Sequence, residues 1–340
     1  MSTPDNEVFP FKIIPSDSET QKAIARDFAG YPNGLASFNH WGFKLSATFS
    51  AGEIEDLYNY PTKPGDVWVV TPPKCGTTWT QEMVWLIAND LDYDGAKTTL
   101  SERWHFLDLN ALTDKDILAQ LAPVRRMEDI SQQPNNSSHR AQPSFVKTHL
   151  PLSMINPRVL DVCKVVYVAR NPKDVCISFF HHCRLLTHVD FLGDLQMFVK
   201  YFMEGRMVAT PVMEHMIEAW NMRHHPNICF IFYEDMKRDL QSEIRRVAKF
   251  LGKSFSCEQV DELAEHLHFD NFKNNSYVNR EEGKASGFFY ADRGDFIRKG
   301  KTGDWKNHFT PEMSAKFDRW MAEKLKGTDL LFTMELEKQH

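Results

Sequence analysis

The segment TPPKCGTTW, Thr71 to Trp79, carries the residue types that hold a phosphate. Lys74 supplies a cation, Gly76 lets a ligand approach the backbone closely, and Thr77 and Thr78 open a run of helical spacing whose first amides have no partner inside the helix. An anion is what such a helix end attracts. The lettering differs from the nucleoside-triphosphate loop GxxxxGK[ST], because Lys74 precedes Gly76 and no glycine starts the loop. Taken alone, the turn also fits an ordinary capped helix. A second pair stands at KTHLP, Lys147 to Pro151. Side chains two apart on a strand share a face, so Lys147 and His149 point the same way.

These residues need strands and turns to bring them together. DVWVVTPPK, residues 66–74, is an apolar, β-branched run ending in prolines, and Trp79, Met83, Leu86 and Ile87 after it have helical spacing, which predicts strand, loop, helix. Further buried strands are predicted at SFVKTHL (144–150), KVVYVAR (164–170) and ICFIFYED (228–235). Helices are predicted at NPKDVCISFFHHC and at DLQSEIRRVAKFLG, which closes on Gly252. Apolar strands alternating with helices imply an α/β fold of three layers, a central parallel sheet and a P-loop-like strand-loop-helix. The expectation is a single domain over 1–340, with 1–60 an irregular lead-in that can roof a pocket. Residues 118–144 and 274–298 read as loops.

Composition narrows the function classes. With 42% hydrophobic and 25% charged residues in 340, the chain can bury a sizeable core, and 25 Phe and 8 Trp leave aromatic surface for an apolar ligand. A formal net charge of −6 argues against a nucleic-acid partner, which needs a broad basic surface. The 6 cysteines show no metal-ligand or CxxC spacing and read as free thiols of a reducing compartment. Neither a leader peptide nor a membrane-spanning run is visible, so the expected localisation is cytoplasmic, and the overlapping sequons at Asn135 and Asn136 read as a polar loop.

At this point the sequence resembles the cytosolic sulfotransferases. TPPKCGTTW is similar to their 5′-phosphosulfate loop, KTHLP to their catalytic segment, VYVARNPKDVCIS (166–178) to their 3′-phosphate segment and RKGKTGDWKNHF (298–309) to their C-terminal loop. Four motifs in order make chance agreement improbable. The resemblance implies 3′-phosphoadenosine 5′-phosphosulfate (PAPS) as co-substrate, adenosine 3′,5′-bisphosphate (PAP) as product and no metal. It implies His149 as the base, apt because a neutral imidazole takes a hydroxyl proton near pH 7. Lys74 falls against the bridging oxygen where charge develops, with Lys147 and Ser178 completing the catalytic set. Cys75, Gly76, Thr77, Thr78 and Trp79 then belong to the donor site with Lys74. Arg170, Ser178, Arg298, Lys299 and Gly300 fall around the 3′-phosphate, where guanidinium suits a bidentate grip. Trp79 and Phe269 are the expected adenine sandwich, with Tyr233, Leu267, Phe296 and Ile297 beside it. Phe49, Trp104, Phe106, Leu109, His182 and Phe289 are the expected acceptor walls, suited to a small hydrophobic hydroxyl compound such as a phenol, steroid or retinoid.

The sequence departs from the family pattern in two places. HLHF offers Leu267 and His268 where a small hydroxyl residue is common before the adenine phenylalanine. The dimer motif KxxxTVxxxE appears as KNHFTPEMSA, so a homodimer has only Lys306 and Thr310 behind it, Pro311 and Ala315 standing in place of Val and Glu. Members resembling the insect retinol dehydratases use the same donor and end in elimination, a second outcome open to this chain. A nucleotide kinase needs ATP, magnesium and the absent triphosphate lettering. A non-catalytic PAPS-binding module has no need of a base beside the sulfonate.

Overall fold

The computed structural model describes residues 8–14, 16–125 and 144–336, and the sequons at Asn135 and Asn136 lie outside them. Two sheets organise the chain. Strands β1 (Ile13–Ile14), β2 (Leu35–Phe38) and β3 (Lys44–Ser46) pair antiparallel in that order. Strands β4 (Val67–Val70), β5 (His105–Phe106), β6 (Phe145–Thr148), β7 (Lys164–Ala169) and β8 (Ile228–Phe232) form a parallel sheet in the order β5-β6-β4-β7-β8.

The apolar runs become strands because both of their faces are covered. Trp68 and Val70 of β4 pack with Val165, Tyr167 and Phe230 into one core, while Val67 and Val69 pack with Val166, Val168 and Ile231 into a second on the opposite face. Alternate residues therefore feed two cores, giving the three layers expected from the sequence. Val70 pairs with Thr148 on one side and with Tyr167 on the other, so the C-terminal ends of β6, β4 and β7 finish side by side. Ligands bind at such strand ends in parallel α/β sheets.

Three sequence expectations need correction. The described part of the first 60 residues is not irregular, for it holds β1 to β3 and the helices Ser18–Asp27 and Ala51–Tyr58. Strands of two to four residues are too short to register an alternation, and the capping box of Ser50 and Glu53 was the available signal for the second helix. The loop expected from Leu118 is helical as far as Arg125, in the helix Lys115–Arg125. The fourth strand stops at Phe232, and Tyr233 opens the helix Tyr233–Arg238. Gly252, at φ +73°, follows the helix Leu240–Phe250 as its left-handed terminator.

One buried ionic group braces the helix Thr77–Ala88 that follows β4. Glu82, with no exposure, accepts hydrogen bonds from Arg103 Nη2 at 2.6 Å and His266 Nε2 at 2.9 Å. The Lys306 to Ala315 segment is used within the chain. Lys306 pairs with Glu335, and Thr310 caps the helix Pro311–Lys324 by accepting from the Met313 amide at 3.1 Å.

Candidate active site

A cavity of about 250 Å³ opens over the ends of β4, β6 and β7. The loop after β4 turns on two left-handed residues, Lys74 at φ +69° and Gly76 at φ +103°. A Cβ at position 76 would stand 2.7 Å from the Tyr233 ring, so this turn requires glycine. Gly76 is also the N-cap of the helix Thr77–Ala88 and offers no side chain to its first amides. Those amides remain available to an anion. Thr77 is held by its hydroxyl 2.6 Å from that of Thr71.

Lys74 lines the cavity with its ammonium 4.7 Å above the Phe296 ring. Burial pulls its pKa down to about 7, with the Arg170 charge adding to the effect. Lys147 on β6 and His149 just past its end both line the cavity, and Lys147 Nζ sits 3.9 Å over the Phe106 ring. His149 Nδ1 lies 2.8 Å from the Thr71 carbonyl. A carbonyl only accepts, so Nδ1 carries the proton and Nε2 keeps its lone pair. Burial, followed by the Lys147 charge, holds this ring near a pKa of about 3, and the imidazole is neutral at pH 7.

Arg170, just past β7, donates from Nη1 to the Lys74 carbonyl at 3.2 Å and from Nη2 to the Lys301 carbonyl at 3.0 Å, tying the loop after β4 to the C-terminal loop. Its guanidinium lies 4.2 Å over Tyr233, and its buried Nε has no partner among the described residues. A buried donor left unpaired is costly, and a phosphate oxygen would remove that cost. The C-terminal loop is fastened by Asp174, which accepts from the Gly303 and Trp305 amides at 2.7 and 3.0 Å. Arg298 and Lys299 reach the cavity edge, where each is 2.8 Å from a carboxylate oxygen of Asp304. Ser178, on the helix Pro172–Leu185, lines the same end.

Trp79 is oriented by its indole N–H on the Leu267 carbonyl at 2.9 Å, and Phe269 packs so closely on Gly300 that a Cβ there would stand 2.2 Å from its ring. Lys237 Nζ lies 5.5 Å from the Trp79 ring and 5.9 Å from that of Phe269. Tyr233 and Ile297 line this region too, whereas the Cys75 side chain points into the core. Toward the apolar end stand Phe106, Leu109, His182 and Phe289, with the Phe289 and Phe296 rings stacked at 5.7 Å.

Two expected wall residues are placed elsewhere. Phe49 is core, and Trp104 packs on Phe145 at 5.2 Å beside a separate recess of about 40 Å³. Sequence reasoning missed Tyr31, His188, Lys237, Arg280, Phe288 and Lys301, all of which line the cavity. Lys237 was findable, since it follows Tyr233 by one helical turn. Tyr31, His188, Arg280 and Phe288 come from stretches without periodicity, where no local signal marks a pocket residue.

Residues 64–329 match the family model for the sulfotransferase domain. The luciferin sulfotransferase of Photinus pyralis is 32% identical over 94% of this chain and 88% of its own length. The amine sulfotransferase of Oryctolagus cuniculus is 33% identical over 84% and 89%. Among solved structures, retinol dehydratase in a complex with retinol and PAP superposes with a TM-score of 0.87 at 38% identity, covering 96% of this chain and 100% of that one. The same enzyme has also been solved with androsterone and PAP.

Proposed function

The chain belongs to the sulfotransferase family, and from that premise we propose that it transfers the sulfonate of PAPS to the hydroxyl of a small apolar acceptor, with His149 as base. The observation that carries this reading is the tautomer of His149. Thr71 holds the proton on Nδ1, which leaves Nε2 unprotonated, with its lone pair, on a neutral ring that lines the cavity beside Lys74 and Lys147. Such a ring takes the acceptor's proton as the oxygen attacks sulfur. Lys74 meets the charge that develops on the leaving phosphate oxygen, and Lys147 steadies the equatorial sulfonate oxygens. The uncapped amides after Gly76 hold the 5′ side of the donor, and Arg170, Ser178, Arg298 and Lys299 hold the 3′-phosphate. Trp79 and Phe269 take the adenine between them. The six cysteines are unpaired, as thiols of a reducing compartment such as the cytoplasm are, and among the described residues no helix is long and apolar enough to cross a membrane.

Elimination is the second reading, favoured by the 38% identity to retinol dehydratase over nearly the whole chain. In that case the sulfate ester stays bound, a base removes a proton from the acceptor's carbon chain, and a new double bond forms as the C–O bond breaks and sulfate leaves. Incubation with ³⁵S-labelled PAPS and a panel of phenols, steroids and retinoids separates the outcomes. A labelled ester denotes transfer alone, while labelled inorganic sulfate with a dehydrated acceptor denotes elimination. Labelled product in neither form, with turnover of ATP and magnesium instead, would overturn both readings in favour of a kinase.

A further inference from the structure

The ladder of β6 ends at Thr148, one residue short of His149. On the β5 side the last rung is the Leu107 amide on the Lys147 carbonyl at 3.0 Å, and on the β4 side it is the Thr71 amide on the Thr148 carbonyl at 3.2 Å. Side chains take over at His149. Its N–H donates to both carboxylate oxygens of Asp108 at 3.1 Å, and its carbonyl lies 3.2 Å from His215 Nε2. Because that carbonyl can only accept, His215 carries its proton on Nε2 and turns a lone pair on Nδ1 toward the Tyr167 hydroxyl, 2.8 Å away. Burial keeps the His215 ring neutral and raises the Asp108 carboxyl to about 6.

Asp108, His215 and Tyr167 are all without exposure and none lines the cavity, so they cannot touch a reactant. Burying a carboxylate and an imidazole is a costly way to satisfy two backbone groups that another turn of chain could pair. What the arrangement adds is direction. Together with the Thr71 carbonyl on Nδ1, it fixes His149 at its amide, its carbonyl and its ring.

We propose that Asp108 and His215, the latter backed by Tyr167, are positioning residues that hold His149 in its reactive place; this rests on His149 being the base. A misplacement of a reacting group by about 1 Å lowers rates by about 100-fold, so partial loosening is expected to lower kcat by about 10- to 100-fold. The experiment compares His215→Leu, His215→Gln, Tyr167→Phe and Asp108→Asn with His149→Ala. It measures kcat, acceptor KM, the Kd of PAP and the thermal midpoint.

In His215→Leu, kcat is expected to fall by that factor with PAP affinity changed by less than about two-fold, since only the base is displaced. His215→Gln, whose amide can still donate to the carbonyl, restores part of the rate, while Asp108→Asn, which keeps one acceptor oxygen for the His149 amide, and Tyr167→Phe lower kcat in the same sense but less. An unchanged kcat in Asp108→Asn removes Asp108 from the proposal. In a His149→Ala background the Tyr167→Phe effect disappears, because its route to the chemistry is gone. A folded His215→Leu enzyme with wild-type kcat overturns the proposal, as does a parallel loss of kcat and PAP affinity. Should that variant fail to fold, an unchanged kcat in Tyr167→Phe overturns it. Wild-type turnover in His149→Ala would instead overturn the assignment of the base itself.

Discussion

Replacing Arg170 with alanine tests the proposed donor site. The guanidinium makes two hydrogen bonds to carbonyls, Lys74 at 3.2 Å and Lys301 at 3.0 Å, and its Nε is buried and unpaired. A charge-assisted hydrogen bond to a 3′-phosphate contributes about 1.5–3 kcal/mol, which the alanine variant loses in full. At about 1.4 kcal/mol per decade this weakens PAP binding by about 10- to 150-fold. A nucleotide lacking the 3′-phosphate suffers only from the looser tether between the two loops, a loss of about 1 kcal/mol or about fivefold. The ratio of the two affinities is therefore expected to shrink. Titration calorimetry with adenosine 3′,5′-bisphosphate and adenosine 5′-monophosphate measures both. Equal losses for the two nucleotides would refute the placement of Arg170 at the 3′-phosphate.

The remaining predictions concern charge, close packing and stability. Lys74, drawn down to about 7 by burial, is charged below that pH and neutral above it, while an anionic donor favours the charged form. Donor Kd is expected to rise from pH 7 to 8.5 by up to about tenfold per pH unit, with proton uptake on binding, and Lys74→Arg should flatten the profile; a flat wild-type profile would contradict this. Gly300→Ala places a Cβ 2.2 Å from the Phe269 ring at φ +58°, so donor affinity should fall at least about tenfold while kcat at saturation changes little; unchanged affinity for PAP would show that Phe269 is not an adenine contact. Glu82→Ala strands the Arg103 charge, whose side chain is 4% exposed, and should lower the urea-unfolding free energy by about 3–5 kcal/mol; a loss under about 1 kcal/mol would remove the brace from the account.

The parallel sheet was readable because β4 and β8 are apolar along their length and β7 after its first residue, Lys164, and that pattern follows from burial on both faces rather than from distant context. The turn after β4 was readable for a related reason: a left-handed turn at Gly76 beneath Tyr233 admits one residue type. The three-stranded sheet of residues 13–46 escaped notice because strands of two to four residues carry no period. The part of the cavity around Lys74, Arg170 and Trp79 is built largely from motif segments, so most of its residues could be named in advance, Lys237 and Lys301 being the exceptions. The apolar end draws Tyr31, His188 and Phe288 from three separate stretches that meet only in the folded chain, and chemistry without spacing left them unmarked. The misplacement of Trp104 and Phe49 has the same origin, since an aromatic near a pocket in sequence looks alike whether it faces the cavity or the core. His215 is the sharpest case. Its effect on His149 runs through one backbone carbonyl, a contact 66 residues apart in sequence.

The central claim is that this chain moves sulfonate from PAPS with His149 as base, and single-turnover transfer from ³⁵S-labelled PAPS in excess chelator tests it most directly. The wild-type enzyme is expected to pass label to a hydroxyl acceptor, as ester or as sulfate released on elimination, at a rate unaffected by the chelator, because Lys74, Lys147 and the helix after Gly76 supply the positive charge. His149→Ala should bind PAP normally and transfer at least about 100- to 10,000-fold more slowly. Label moving at the wild-type rate in His149→Ala, or transfer that stops with chelation and returns with magnesium, would contradict the account.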